Sequence, residues 1–281
     1  MDLEQQIIEA ALATILPSTA TDIRSSASQS LEQWTRSSTS WIQYQNLLTI
    51  FFTTDSNQSI ISLIDRMTHA YPSNGNSINI KNDAMGVKLL LLTMLCSKCR
   101  NYTKGNNESM VQIHSMIQSL FHVLLSFDPK NNDDALISPI CSSIASLSMH
   151  SYQSKTHTQT HTQTHTQTHS SHIDIPNFQQ IILSCCHSIY PPSIMNQLQN
   201  PAFSLSPSLA IQMLSCICSE AHIKKDSIST RTNPILDIMI SISSPMLHCV
   251  LFLLETKMDI VVNNNDYPSG QIVISTLQLS L

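Results

Sequence analysis

The stretch DIRSSASQSLEQWTRSSTSWIQYQNLL, residues 22–48, decides the fold. Ile23, Ala27, Leu31 and Trp34 recur at spacings of four, four and three, which lays one apolar stripe along a helix. A five-residue polar gap follows, and Ser40-Trp41 then opens a second pattern of Trp41, Tyr44, Leu48 and Phe51–Phe52. Two amphipathic helices joined by so short a turn predict an antiparallel hairpin.

The same pattern recurs on both sides. Segment 3–16 carries Leu3, Ile7, Leu12 and Ile15 and stops before Pro17. Segment 57–70 offers Ile60, Ile61, Ile64 and Met67, and the Pro-, Asn- and Ser-rich residues 71–83 read as a loop. Segment 85–102 has Val87, Leu91, Leu95, Cys99 and Tyr102 in register. Segment 109–127 repeats Ile113, Ile117, Leu120, Leu124 and Phe127; after a polar turn, 136–149 answers with Ile137, Ile140, Cys141, Ile144 and Leu147. Farther on, 177–190 places Phe178, Ile181, Ile182, Cys185 and Ile189 on one face. Ser206-Pro207 reads as an N-cap followed by proline at the first helical position, opening a helix over 207–222. Asn233-Pro234 opens a last helix to about Met258, kinked at Pro245. The expected class is therefore all-α, a HEAT/armadillo-like α-solenoid of antiparallel helical hairpins. The expected division is hairpins over 1–150, a low-complexity His/Thr/Gln insert over 151–172, further hairpins over 173–260 and an irregular tail over 261–281. Within that tail, residues 271–277 look strand-like but have no sheet to join.

Composition narrows function by exclusion. Charged residues are 12% of the 281, about half the usual share, against 42% hydrophobic. The net charge of −5 and the lack of any basic run argue against a nucleic-acid binder. The four glycines, Gly75, Gly86, Gly105 and Gly270, are too scattered for a phosphate loop or a dinucleotide fingerprint. The longest apolar run, Leu89 to Leu95, is too short to span a bilayer, and the acidic N-terminal segment does not read as a signal peptide.

The chemistry-bearing residues have plain structural readings. The eight cysteines fall mostly inside apolar helical patterns and read as reduced core residues; Cys96 and Cys99 form a C-x-x-C without a second pair at zinc spacing. His157, His161, His165 and His169 recur every four residues in a Thr-His-Thr-Gln repeat. Every second residue there is threonine, a poor helix former, so the repeat reads as a tolerant insert rather than a metal site. No catalytic motif, cofactor site or metal site is expected, and the chain reads as a non-enzyme. Trp34 and Trp41 lie on helix stripes and read as packing residues. Lys98 and Arg100, in the last turns of the 85–102 helix, are placed to offset that helix's own dipole.

The Asp22–Leu48 segment resembles the first helical hairpin of the importin-beta superfamily of nuclear transport receptors (karyopherins). There, an Arg, an Ala and a Leu-Glu precede an Ala/Ser-Trp and a Leu-Leu pair. Further segments are similar, in order, to the transportin-SR (transportin-3, importin-13-like) branch. Val87-Lys88-Leu89 through Arg100 resembles its second-hairpin helix. Met116–Phe127 with 136–149 is similar to the next hairpin, Leu209–Lys225 to a Leu-rich segment ending in Pro-Glu-Glu, and Leu247–Glu255 to a later Leu-rich helix. Cys218-Ser219-Glu220-Ala221 departs from that Pro-Glu-Glu. The likeness covers about 1–258 and corresponds to the N-terminal third of such receptors. It implies a shuttling protein of cytoplasm and nucleus that binds the Ran GTPase, protein cargo and nucleoporins, with import as the expected direction. It does not imply nucleic-acid binding or membrane insertion. It makes Lys98 and Arg100 candidates for the face that grips Ran. A HEAT scaffold for protein–protein interaction without a transport role is the alternative.

Overall fold

The computed structural model describes residues 3–16, 19–52, 62, 80–102, 110–127, 134–158, 178–189, 202–225 and 251. Among them there is no strand, and eight helices follow one another: α1 (Leu3–Ile15), α2 (Thr21–Arg36), α3 (Ser40–Phe52), α4 (Ile80–Arg100), α5 (Met110–Ser126), α6 (Asp134–Thr158), α7 (Phe178–Ile189) and α8 (Pro207–Lys225). The chain divides into two compact units, Met1–Ser143 and Ile144–Leu281, with the boundary inside α6. The expected helix over 57–70 (Ser62 apart), most of the loop over 71–83, the helix over 233–258 (Leu251 apart), the tail over 261–281, and His161, His165 and His169 lie outside the described residues.

In the first unit the apolar stripes become the core. Ile7, Ile8, Ala11, Leu12 and Leu16 of the α1 segment meet Leu31 of α2, Leu47 and Phe51 of α3, and Val87 and Leu91 of α4 in one cluster. Polar bonds between helices fix the direction of each. Lys88, near the start of α4, bonds the Phe51 carbonyl at the end of α3 at 3.0 Å. Lys98, near the end of α4, bonds the Thr35 carbonyl at the end of α2 at 3.0 Å. So α4 runs antiparallel to α3 and in the same sense as α2. Gln45 Nε2 bonds Ser115 Oγ at 2.7 Å, and the rings of Phe52 and Phe127 lie 5.5 Å apart, so α5 runs in the same sense as α3. Short connections make α1 antiparallel to α2 and α2 antiparallel to α3. The result is two layers, α1–α3–α5 and α2–α4, whose members share a direction within each layer. This is a stacked arrangement of helical hairpins, with α1 packed on α2 and on α4 and with α3 packed on α5.

Three local readings differ from the sequence expectation. Ile23 is 40% exposed, because Arg24 turns inward to bond the Leu16 and Thr19 carbonyls at 3.0 and 3.2 Å. At about 100° per residue the inward face of α2 then carries Arg24, Ala27 and Leu31, and Ile23 is rotated out. Helix α4 begins at Ile80, inside the segment read as a loop, with Asp83 in its first turn where a carboxylate suits the helix dipole. Helix α6 runs to Thr158, eight residues into the segment read as an insert, and so includes His157. Once nucleated by the buried stretch 141–149, a helix gains one bond per added residue, which outweighs the weak propensity of threonine. Pro139 sits inside α6 one turn past its start and removes the N–H that would bond the Ala135 carbonyl, and Ser143 Oγ bonds the Pro139 carbonyl at 2.7 Å.

In the second unit α7 packs on α8. Phe178, Ile181, Ile182 and Cys185 face Ala210, Met213, Leu214 and Ile217, all buried. Ser184 and Ser188 of α7 hold the incoming strap, accepting the Ala202 and Leu205 N–H groups at 3.0 and 3.1 Å. The Ser206 cap is present: its Oγ accepts the Leu209 N–H at 3.4 Å, and its carbonyl accepts the Ala210 N–H at 3.0 Å.

Gly86 tests the packing of α4 on α1, since a Cβ there would stand 3.0 Å from Ile15 Cδ1. Gly86→Ala gains about 1 kcal/mol of helix propensity and loses part of it in moving the tip of one side chain. Urea unfolding is expected to place it within about 1 kcal/mol of wild type, whereas Gly86→Leu is expected to destabilise clearly through overpacking.

Candidate functional site

The residues singled out by the sequence converge on the three-residue turn between α2 and α3. Helix α2 ends as Ser37 adopts an extended conformation, with its N–H returned to the Trp34 carbonyl at 2.9 Å. This leaves carbonyls at Thr35 and Ser37 that need donors. The single hydroxyl proton of Ser40, fully buried at the first position of α3, is shared between them, at 2.8 Å from the Ser37 carbonyl and 3.1 Å from that of Thr35. Lys98 Nζ donates to the same pair at 3.0 and 3.1 Å. The ammonium also lies 4.7 Å from the centre of the Trp41 ring, where a cation meets the negative face of the indole. Trp41 is buried at 2% exposure and packs edge-on to Tyr102 at 6.2 Å. Its Nε1 is buried without a hydrogen-bond partner among the described residues. Beside it, Trp34 stacks on Tyr44 at 4.6 Å, and the Tyr44 hydroxyl lies 3.2 Å from Thr35 Oγ1. Burial pushes the Tyr44 phenol well above its usual value, so it remains a neutral packing group.

Between the end of α2 and the last turns of α4 lies an open groove of about 360 Å³, lined by Glu32, Arg36, Trp41, Met94, Lys98 and Tyr102 among others. An exposed Glu32–Arg36 ion pair marks its rim. The groove offers hydrogen-bonding groups, an aromatic floor and charges of both signs. It pairs no nucleophile with a base. What it can do is hold part of another molecule by shape and hydrogen bonding.

The structure separates the two candidate cations. Lys98 lies in the last turn of α4, where the sequence reading put it, and its ammonium bonds the end of α2, a partner no spacing rule predicted. Arg100, two residues on and so about 200° around the helix, is exposed. The sequence reading missed two companions of Lys98. Lys88 caps α3 through the Phe51 carbonyl and lies 5.4 Å from the Phe52 ring centre. Arg24 caps the end of α1. Their signal is visible in retrospect: neither α1 nor α3 has a basic residue in its own last turn.

Most of the described cysteines are core. Cys96, Cys99, Cys141, Cys185 and Cys186 are buried, and none of the described cysteines forms a disulfide. No trio of His, Cys, Asp or Glu among the described residues is placed to hold a metal ion. Burial pushes the Cys218 thiol up to about 11, helped by Cys186 and Cys216, and raises Cys185 well above its usual value. These thiols stay protonated and are poor nucleophiles. No described helix is long and apolar enough to cross a membrane. Comparison with protein-family models, with curated proteins and with solved structures found no match.

Two expected outcomes follow from this geometry. Lys98→Met removes a charged donor from two carbonyls and a cation from an indole, and is expected to cost about 2 kcal/mol in denaturant unfolding. Arg100→Met, at an exposed position, should cost clearly less than Lys98→Met. In the second unit, a thiol whose folded pKa is raised keeps its full contribution below the ordinary value of 9.0 and loses it as pH climbs toward about 11. Urea midpoints should therefore fall between pH 9 and 11, and Cys218→Ser should flatten part of that fall.

Proposed function

We propose that this chain is a protein-binding scaffold of stacked helical hairpins and, within that class, the N-terminal part of a nuclear transport receptor that recognises Ran in its GTP form. The scaffold half rests on the layered hairpins themselves. The transport half is supported by the order of the resembling segments: Asp22–Leu48, like the receptors' first hairpin, and Val87–Arg100, like their second-hairpin helix, form α2, α3 and α4 of one compact unit. On this reading the protein works by binding and not by catalysis. Ran meets the α2–α4 layer, cargo and nucleoporins bind elsewhere on the array, and the protein shuttles between cytoplasm and nucleus. Coupling between a Ran site and a cargo site through one bendable body would be linkage in the ordinary sense.

A scaffold for protein–protein interaction with no part in transport is the second reading. It needs only the stacked hairpins and leaves the partner of the groove open.

Titration of the full chain with Ran loaded with GTP or GDP separates the two. The transport reading expects the GTP form to bind at least about tenfold more tightly, a coupling of the usual allosteric size. Arg100→Glu should weaken that binding several-fold, mainly in the association rate, while circular dichroism stays unchanged. Lys98→Glu is the poorer probe, because it breaks the α2 cap whether or not Lys98 meets Ran. Absent or nucleotide-blind binding would leave the second reading.

A further inference from the structure

We propose that α1, α2, α3 and α4 behave as one rigid end block, and that Lys98 is the pin that holds α4 in its setting against α2 and α3. The inference deepens the scaffold reading by saying where the array bends and where it does not. In a stack of hairpins each unit touches only its neighbours, so bending is taken up at the interfaces between them. Helix α4 packs on α1 and α2. A hinge within the block would need one edge to open, and both edges and the centre are tied. On the α1–α3 side Asn46 Nδ2 donates to Glu4 Oε1 at 2.7 Å. Through the centre, Ile7 and Leu12 of α1 and Leu31 of α2 share one cluster with Leu47 and Phe51 of α3 and Val87 and Leu91 of α4. At the α2–α3 turn, the Tyr44 ring of α3 lies tilted against Trp34 of α2, with centres 4.6 Å apart. On the α2–α4 side stands Lys98.

Lys98 differs from the other ties in reach. Its ammonium meets the carbonyls that end α2, the indole that begins α3 and, through its own backbone, the last turn of α4. One group therefore joins the ends of three helices. Sliding α4 along α2 by even one residue would strip the charged donor from the Thr35 and Ser37 carbonyls, leaving them only the Ser40 hydroxyl. The consequence is functional. A partner that docks on this block meets a preformed surface and incurs little ordering cost. Changes of curvature are left to the hairpins after α4.

Native-state amide exchange on the full chain tests this without any partner, so its failure would leave the protein-binding reading untouched. In the wild type the slowest amides of α1, α2, α3 and α4 should share a single opening equilibrium, as one cooperative unit. In Lys98→Met they should split into two sets, with protection at Thr35–Trp41 and in the last turn of α4 falling together by about tenfold. Lys98→Arg, which keeps the charge and can still reach the carbonyls, should restore most of the common unit. The proposal is overturned if α4 already opens separately from α1, α2 and α3 in the wild type, or if Lys98→Met lowers protection evenly and leaves the four helices a single set.

Discussion

Helix ends are the constraint on which the first unit depends. Each helix leaves its last carbonyls without partners inside the helix, and burying them unpaired costs as much as breaking hydrogen bonds. The sequence gives α1 and α3 no basic residue in their last turns. The ends are met from other helices: Arg24 of α2 serves the end of α1, Lys88 of α4 serves α3, and Lys98 of α4 serves α2. A donor that must come from a neighbour makes local helix formation conditional on tertiary packing. The spacing fits the purpose. Lys88 and Lys98 are ten residues apart, about 15 Å along a helix, against about 20 Å for the 13 residues of α3. One straight helix can therefore meet the end of α3 with one lysine and the turn before α3 with the other.

This explains what the sequence could and could not disclose. Apolar periodicity is local, and it located α1, α2, α3, α5 and α7 to within about two residues at each end. Their stripes are the buried sets, from Val87, Leu91 and Leu95 in α4 to Phe178, Ile181 and Cys185 in α7. The Ser206 cap was legible because its donor lies three residues away. Ile23 was misplaced because its orientation is set by Arg24 reaching across to α1, a contact no spacing rule contains. The reach of α6 into the threonine repeat was hidden because propensity was weighed residue by residue, whereas a helix already nucleated by a buried run extends more easily than one that must start. The groove was invisible for the same reason as the caps. Its walls come from α2, α3 and α4, and only Lys98 of its lining had been singled out as a possible contact.

The low charge content has a structural counterpart in hydroxyls. Ser40 caps α2, Ser184 and Ser188 hold the strap before α8, Ser143 covers the carbonyl of Pro139, and Ser206 opens α8. A hydroxyl both donates and accepts and carries no charge, so it satisfies a buried backbone group without the desolvation cost of an ion. Its weakness is reach, since one short side chain serves only the nearest turn. Where a gap between helices had to be crossed, the chain uses the long stems of lysine and arginine, which bury their methylenes while the head group bonds.

That division bears on how such a surface recognises a partner. Arg24, Lys88 and Lys98 are committed to helix ends, and Arg36 pairs with Glu32, so most of the described cations of α1 to α4 already serve the fold. The outward residues of α2 and α4 include Gln29, Ser30, Gln33, Thr93 and Ser97. A face of that kind has little long-range field with which to steer an encounter. A partner met there would be selected by fit and by hydrogen bonds made at contact, which discriminate only if the donors and acceptors are held in place beforehand. On that reading the lysine that secures α4 to α2 would support recognition without having to touch what binds.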